Sequence, residues 1–162
     1  MTFSRSNVLL AIAALSFGAI GAALLTQHVF DMRPCAWCVL QRLVFVAIGL
    51  VALFGLAWRS MTGQRVIHLS LLLLCGSGIA AALWQHFVAK ASVSCNLTLA
   101  DRIVSGLGLD ALLPDVFQAT ASCAEAAVDL AGVPYEFWSL GLFVAVEAAA
   151  MWLLLASRRT AR

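Results

Sequence analysis

Four apolar runs, roughly Val8–Leu25, Val39–Trp58, Val66–Val88 and Phe137–Ala156, decide most of what this chain can become. A helix needs about 20 mostly apolar residues to cross a hydrocarbon core of roughly 30 Å, and each run is close to that length. Of the residues, 63% are hydrophobic and only 11% charged. A soluble domain is nearer one half and one quarter. The expectation is an all-α membrane protein: a four-transmembrane-helix bundle forming one domain over 1–162, with outer loops at 26–38 and 89–136. The first run has a basic residue, Arg5, before it and small residues near its end, as a signal peptide does. It is longer than the usual apolar stretch of about 7–15 residues, so a retained helix is expected.

Orientation follows from lysine and arginine. Arg5, Arg59, Arg65, Arg158, Arg159 and Arg162 flank the runs on one side, with no acid among them. The other side holds Arg33, Arg42, Lys90 and Arg102 together with Asp31, Asp101, Asp110, Asp115, Glu125, Asp129 and Glu136. Both termini should face the cytoplasm. Cys35, Cys38, Cys95 and Cys123 then face the oxidising side, where disulfides persist. Cys75 lies inside a span and reads as a small buried apolar residue.

The stretch Pro34-Cys35-Ala36-Trp37-Cys38-Val39-Leu40-Gln41-Arg42 sits at the mouth of the second helix. Proline suits a first helical turn. Cysteines there feel the positive end of the helix dipole, which favours thiolate. Arg42 is four residues beyond Cys38, so its guanidinium can lie beside that sulfur. A reactive dithiol at a membrane surface reads as a redox centre.

Along the chain, Gly18 and Ala22 make a small-xxx-small face suited to helix packing. Gln27 and His28 end the first helix, where polar side chains usually meet headgroups or water. Trp58 marks the inner interface, and Trp84 with His86 marks the outer one. Taken alone, His86 is an interfacial histidine; more sharply read, it is a donor to a bound headgroup sharing a pocket with Arg42. In the second outer loop, Leu99, Ile103, Val104 and Leu107 have helix spacing, with Thr98 and Asp101 as a capping box. That amphipathic segment should lie flat on the bilayer until Pro114 stops it. The stretch 117–125 reads as exposed. Were Cys95 and Cys123 to pair, the closed loop of about 28 residues would be worth on the order of 3 kcal/mol, so a purely structural bond is credible too. Glu147 is an intramembrane carboxylate nearer the inner side, and the sequence offers no role for it.

The dithiol phrase on helix two, with a Cys95/Cys123 pair in the second outer loop, resembles the disulfide bond formation protein B (DsbB) family. The likeness extends to Gln27-His28, Gln85-His86, Ser122-Cys123-Ala124-Glu125 and Trp138-Ser-Leu-Gly-Leu-Phe143. It implies a quinone-dependent oxidase in a bacterial inner membrane, using ubiquinone or menaquinone. A periplasmic thioredoxin-fold partner, DsbA-like, would attack a Cys95–Cys123 disulfide and form its mixed disulfide with Cys95. Cys123 would then attack Cys35–Cys38. Cys38 would meet the quinone and Cys35 would be its exchange partner. Arg42 would stabilise the thiolate and the developing quinone oxygen, and His86 would help hold the headgroup. Gln41 stands where the best-known member carries an acid, a departure that bears on potential or quinone choice. No nucleic-acid partner is implied, and a monomer is expected.

Three other readings compete. A vitamin K epoxide reductase-like oxidase shares bundle, quinone and CxxC, but that family usually carries its CxxC on the last core helix. A four-cysteine zinc site would favour paired knuckles, and Cys95 and Cys123 are far apart in sequence. A structural or metal-binding tetraspanning protein with stabilising disulfides explains the cysteines, yet leaves the dithiol's position and Arg42 as coincidence.

Overall fold

The computed structural model describes residues 4–58, 60–91 and 98–159. Four long helices carry the chain: α1 (Arg5–Val29), α2 (Ala36–Ala57), α3 (Met61–Phe87) and, last in sequence, α7 (Tyr135–Arg159). All four are long and apolar enough to cross a membrane. α1 and α7 contain their expected spans and overrun them at both ends, while α2 and α3 start a few residues early and stop one residue short, at Ala57 and Phe87. The protein is an all-α, multi-pass membrane protein.

Polar contacts at the helix ends fix an up-and-down arrangement. At one end, Arg5 of α1 donates to the Gly55 carbonyl of α2, and Gln64 of α3 donates to the Trp58 carbonyl. At the other, Glu136 of α7 meets His86 of α3, and Ser139 of α7 meets Gln41 of α2. Between these ends runs an apolar core that includes Leu9, Ile12, Ile48, Leu71, Phe143 and Leu153. Phe45 and Phe143 stack with ring centroids 4.1 Å apart and planes within 5°. The ring of Phe143 reaches α3 at Gly78, where any Cβ would run into it. Cys75 is fully buried in the same core, in keeping with its reading as an apolar residue.

The face expected to pack α1 is a different one. Its buried stripe is Leu9, Ile12, Ala13 and Ser16, the i, i+3, i+4, i+7 spacing of one helix side. Gly18 lies two residues past Ser16, about 200° around the helix at 100° per residue, and is exposed. A Cβ there would meet nothing.

The connection between α3 and α7, expected as a long outer loop over 89–136, is structured over much of its described part. It holds α4 (Leu99–Gly106), α5 (Leu109–Leu112), α6 (Pro114–Phe117) and a two-stranded ribbon, β1 (Asp129–Leu130) and β2 (Val133–Pro134). The ribbon turns through Ala131 and Gly132, both with positive φ. Thr98 and Asp101 form the capping box that their spacing suggested. The amphipathic stretch is several helices rather than one, because Gly108 adopts a left-handed conformation (φ 67°) and interrupts it. Pro114 opens α6 as well as ending what precedes it. Val104 of α4 is buried, whereas Leu99, Ile103 and Leu107 are exposed. Phe117, expected on an exposed segment, is instead buried in a cluster with Val39 and Val104, because α6 turns it onto α2.

Candidate functional site

The first turn of α2 is the centre of the site. Pro34 precedes the helix rather than starting it. Cys35 is the N-cap, and its sulfur accepts from the backbone N–H of Cys38 at 3.4 Å. That places Cys38 in the first turn, where backbone N–H groups have no partner in the helix. The Pro34 carbonyl accepts from the N–H groups of Thr120 (3.0 Å) and Ala121 (3.2 Å), which docks the segment leading to Cys123 against the start of α2.

Three sulfurs meet there. Cys35 Sγ lies 3.0 Å from Cys38 Sγ, beyond a bonded length of about 2.05 Å. On its other side Cys35 neighbours Cys123, which packs against the same buried cluster, close enough for each thiol to bias the other's proton. Cys35 is therefore the middle sulfur. Its thiol is held well above the ordinary range, first by hydrogen bonds to Cys123 and Cys38 and then by burial. Cys123 moves the opposite way. The hydrogen bond from Cys35 favours its thiolate, assisted by the Trp37 N–H and opposed by burial. The proton is thus kept on the middle sulfur while charge is favoured on the loop sulfur. Cys95 lies outside the described residues, and so does its expected pairing with Cys123.

Cys38 also lines a partly open cavity of about 550 Å³ walled by α1, α2, α3, α7 and the two connections at that end of the bundle. Pockets for small organic ligands run from roughly 300 to 1,000 Å³. Ala19, Ala22 and Ala23 form its α1 wall, so small residues on this helix make room for the cavity rather than for a neighbouring helix. Phe45 and Leu142 add apolar wall, while Arg42, Gln41, Gln85, Ser139 and Glu136 supply polar edges. Tyr135 Oη and Thr26 Oγ1 hydrogen-bond at 3.0 Å and join α7 to α1. The space suits a ring-sized apolar ligand with polar atoms at its edge.

Arg42 lines this cavity, but its bonds do not run to Cys38. Nη1 donates to Gln27 Oε1 at 2.7 Å and to the Val116 carbonyl at 2.9 Å, and Nη2 lies 3.5 Å from the Ala23 carbonyl. The guanidinium is buried and held by α1 and α6. Gln27 is accordingly a holder of Arg42 rather than an interfacial residue turned to headgroups or water. It also donates to the Asp115 carbonyl at 3.1 Å. Besides Cys35, the Cys38 sulfur has a hydrogen bond from Gln85 Nε2, at 3.2 Å.

His86 is not on the cavity wall. Its Nδ1 lies 2.7 Å from Glu136 Oε1, and Glu136, which is buried, does line the cavity. His86 and Arg42 therefore serve one pocket from different depths, Arg42 directly and His86 through a carboxylate. Gln85, Glu136 and Ser139 are site residues that the residue patterns did not single out. The available signal was polarity: a glutamine, a serine and a glutamate at the outer ends of otherwise apolar spans.

The family model described as "Disulfide bond formation protein DsbB" matches residues 5–153. The chain belongs to that DsbB family. A disulfide bond formation protein B from Ralstonia nicotianae is 34% identical over 139 residues, covering 85% of each chain. A disulfide bond formation protein B 1 from Pseudomonas savastanoi pv. phaseolicola is 33% identical over 158 residues, 96% of this chain and 91% of the relative. One from Aromatoleum aromaticum is 29% identical, with 96% of both chains covered. As a DsbB-family member the chain is a disulfide-forming oxidoreductase of the membrane, and Cys35, Cys38 and Cys123 gather in one cluster.

Proposed function

We propose that this protein oxidises a periplasmic thioredoxin-fold dithiol partner, DsbA-like, and passes the electrons to membrane ubiquinone or menaquinone. On this reading it sits in a bacterial inner membrane with both termini cytoplasmic, as the arginine distribution supports. The observation that carries the proposal is the place of Cys35: it packs beside Cys123 on one side, its sulfur lies 3.0 Å from Cys38 on the other, and Cys38 opens onto the cavity.

Exchange requires an attacking thiolate and a leaving sulfur that tolerates charge. The partner's dithiol opens a Cys95–Cys123 disulfide, forming its mixed disulfide with Cys95 and freeing Cys123. The second thiol of the partner then releases Cys95, and the partner leaves oxidised. Cys123, favoured as thiolate, attacks Cys35 of the Cys35–Cys38 disulfide and displaces Cys38 as thiolate. Cys95 then attacks Cys123 and frees Cys35, which restores the loop disulfide and leaves Cys35 and Cys38 reduced. The cavity fits a quinone head: it has apolar walls, the buried Arg42 cation within it, and Cys38 at its edge. A quinone bound there supplies the two-electron acceptor that lets Cys35 and Cys38 close again, taking up two protons as it does. Arg42 holds positive charge where negative charge develops, and the Glu136–His86 pair places a carboxylate and an imidazole at the polar edge.

The test is quinone reduction by the purified protein, driven by a reduced DsbA-like partner. Turnover is expected in the native protein and absent from Cys38→Ala. Normal turnover by Cys38→Ala, or none from the folded and oxidised native protein, would overturn the proposal.

A further inference from the structure

Cys38 is served by a line of side chains that crosses three helices. The Ser139 hydroxyl of α7 is shared between two acceptors, Gln41 Oε1 of α2 and the Glu136 carbonyl of its own helix at 2.9 Å. Gln41 Nε2 donates to Gln85 Oε1 of α3 at 2.7 Å, and Gln85 Nε2 donates to Cys38 Sγ at 3.2 Å. Both glutamines are about 96% buried, with 4% of their surface exposed. An amide in an apolar span is costly unless its polar atoms are paired, and here each amide has an acceptor and a donor in place. The line carries no formal charge, so it provides a dipole without the desolvation cost of an ion.

Its polarity matters. With the Ser139 proton turned to Gln41 Oε1 rather than to the Glu136 carbonyl, every amide points the same way and the last one presents an N–H to sulfur. The reverse orientation would put the Gln85 carbonyl against Cys38, which suits a thiol and opposes a thiolate. Hydrogen bonds in such a chain polarise one another.

We propose that Ser139, Gln41 and Gln85 form an amide relay that holds an N–H donor on the Cys38 sulfur and so sets its reactivity. Gln85 touches the reacting sulfur. Gln41 and Ser139 are positioning residues that act through it. The inference rests on Cys38 being the sulfur that faces the acceptor, but its test uses neither quinone nor partner. If the oxidase reading fails, quinone reduction fails in the native protein; if the relay fails, Cys38 reactivity stays unmoved in the variants.

The experiment is the rate of iodoacetamide labelling of Cys38 at one fixed neutral pH, in the full-length protein carrying Cys35→Ala and Cys75→Ala, followed by peptide mass spectrometry. Gln85→Leu should label about tenfold more slowly, the size of one hydrogen bond to an ionised group. Gln85→Glu, which keeps the shape but offers only acceptors, should be slower still. Ser139→Ala, three hydrogen bonds from the sulfur, should slow labelling about threefold, and Ser139→Thr should restore it. With Cys35 present, Gln85→Leu should move the Cys35–Cys38 couple about 30 mV more negative, a tenfold change in a two-electron exchange. Native labelling rates in folded Gln85→Leu overturn the proposal. A slow Gln85→Leu beside a native-rate Ser139→Ala overturns the relay, as does a deficit in Ser139→Ala that threonine does not repair. Should Gln85→Leu fail to fold, the one-oxygen change at Ser139 and its threonine rescue decide the matter.

Discussion

Gln27→Ala tests how the site holds its cation. Arg42 makes two good hydrogen bonds, both from Nη1: one to Gln27 Oε1 at 2.7 Å and one to the Val116 carbonyl at 2.9 Å. Its third contact, at 3.5 Å, is at the limit of a bond. Gln27 is also tied to the Asp115 carbonyl, next to Val116, so its loss loosens both holders at once. A hydrogen bond to a charged group is worth about 1.5–3 kcal/mol. Gln27 is only half-buried, and water will replace part of what is lost. About 1.4 kcal/mol is then the net effect, or tenfold. In quinone reduction driven by a reduced thiol partner, the KM for quinone should rise about tenfold and kcat should change less than about twofold, since the hydrogen bonds of Gln27 go to Arg42 and the Asp115 carbonyl. Gln27→Glu keeps the acceptor and should hold KM within about threefold of the native value. An unchanged KM in Gln27→Ala, or a fall in kcat alone, would refute the reasoning that Gln27 places Arg42 on the ligand.

Other expectations rest on single contacts. With Cys95 replaced by Ala, Cys35→Ala removes the donor that favours the Cys123 thiolate. The thiolate fraction near pH 7 falls, so Cys123 should react more slowly with iodoacetamide there, while the rates converge above the ordinary thiol range; equal rates at neutral pH would contradict the three-sulfur arrangement. Phe143→Ala empties a stacked core position and should cost about 3–5 kcal/mol, read as a lowered unfolding midpoint in detergent. Cys75→Ala should leave turnover unchanged, because Cys75 is buried in the apolar core away from the other described cysteines; a folded but inactive variant would show that it had been misread. Thr98→Ala should weaken α4 by about 1 kcal/mol, visible as faster amide exchange over Leu99–Gly106.

The spans were legible because hydropathy over twenty residues is a strong signal that needs no tertiary information. The Thr98–Asp101 box was legible for a similar reason, since both its residues and its bonds are local. Local pattern stopped short wherever a partner lay far along the chain. Gly18 and Ala22 advertise a packing face, but which side of α1 is buried depends on α2 and α7. Arg42 is one turn from Cys38, yet its hydrogen bonds go to Gln27 and the Val116 carbonyl, and the amide donor on the sulfur is Gln85, from another helix. His86 carries the same lesson: its depth behind the wall is set by Glu136, which lies 50 residues away. The meeting of Cys123 with Cys35 depends on the Pro34 carbonyl holding Thr120 and Ala121, a backbone contact with no signature in side-chain identity.

The central claim is that Cys35 is the sulfur shared between loop and helix. The most direct measurement is crosslinking of paired cysteines under a mild oxidant, with the remaining cysteines replaced by Ala. A protein keeping only Cys35 and Cys123 should form their disulfide rapidly and almost completely, whereas one keeping only Cys38 and Cys123 should form it slowly, if at all. Equal or faster bonding of Cys38 to Cys123 would contradict the account, since the loop sulfur would then reach the cavity-facing cysteine without passing through Cys35.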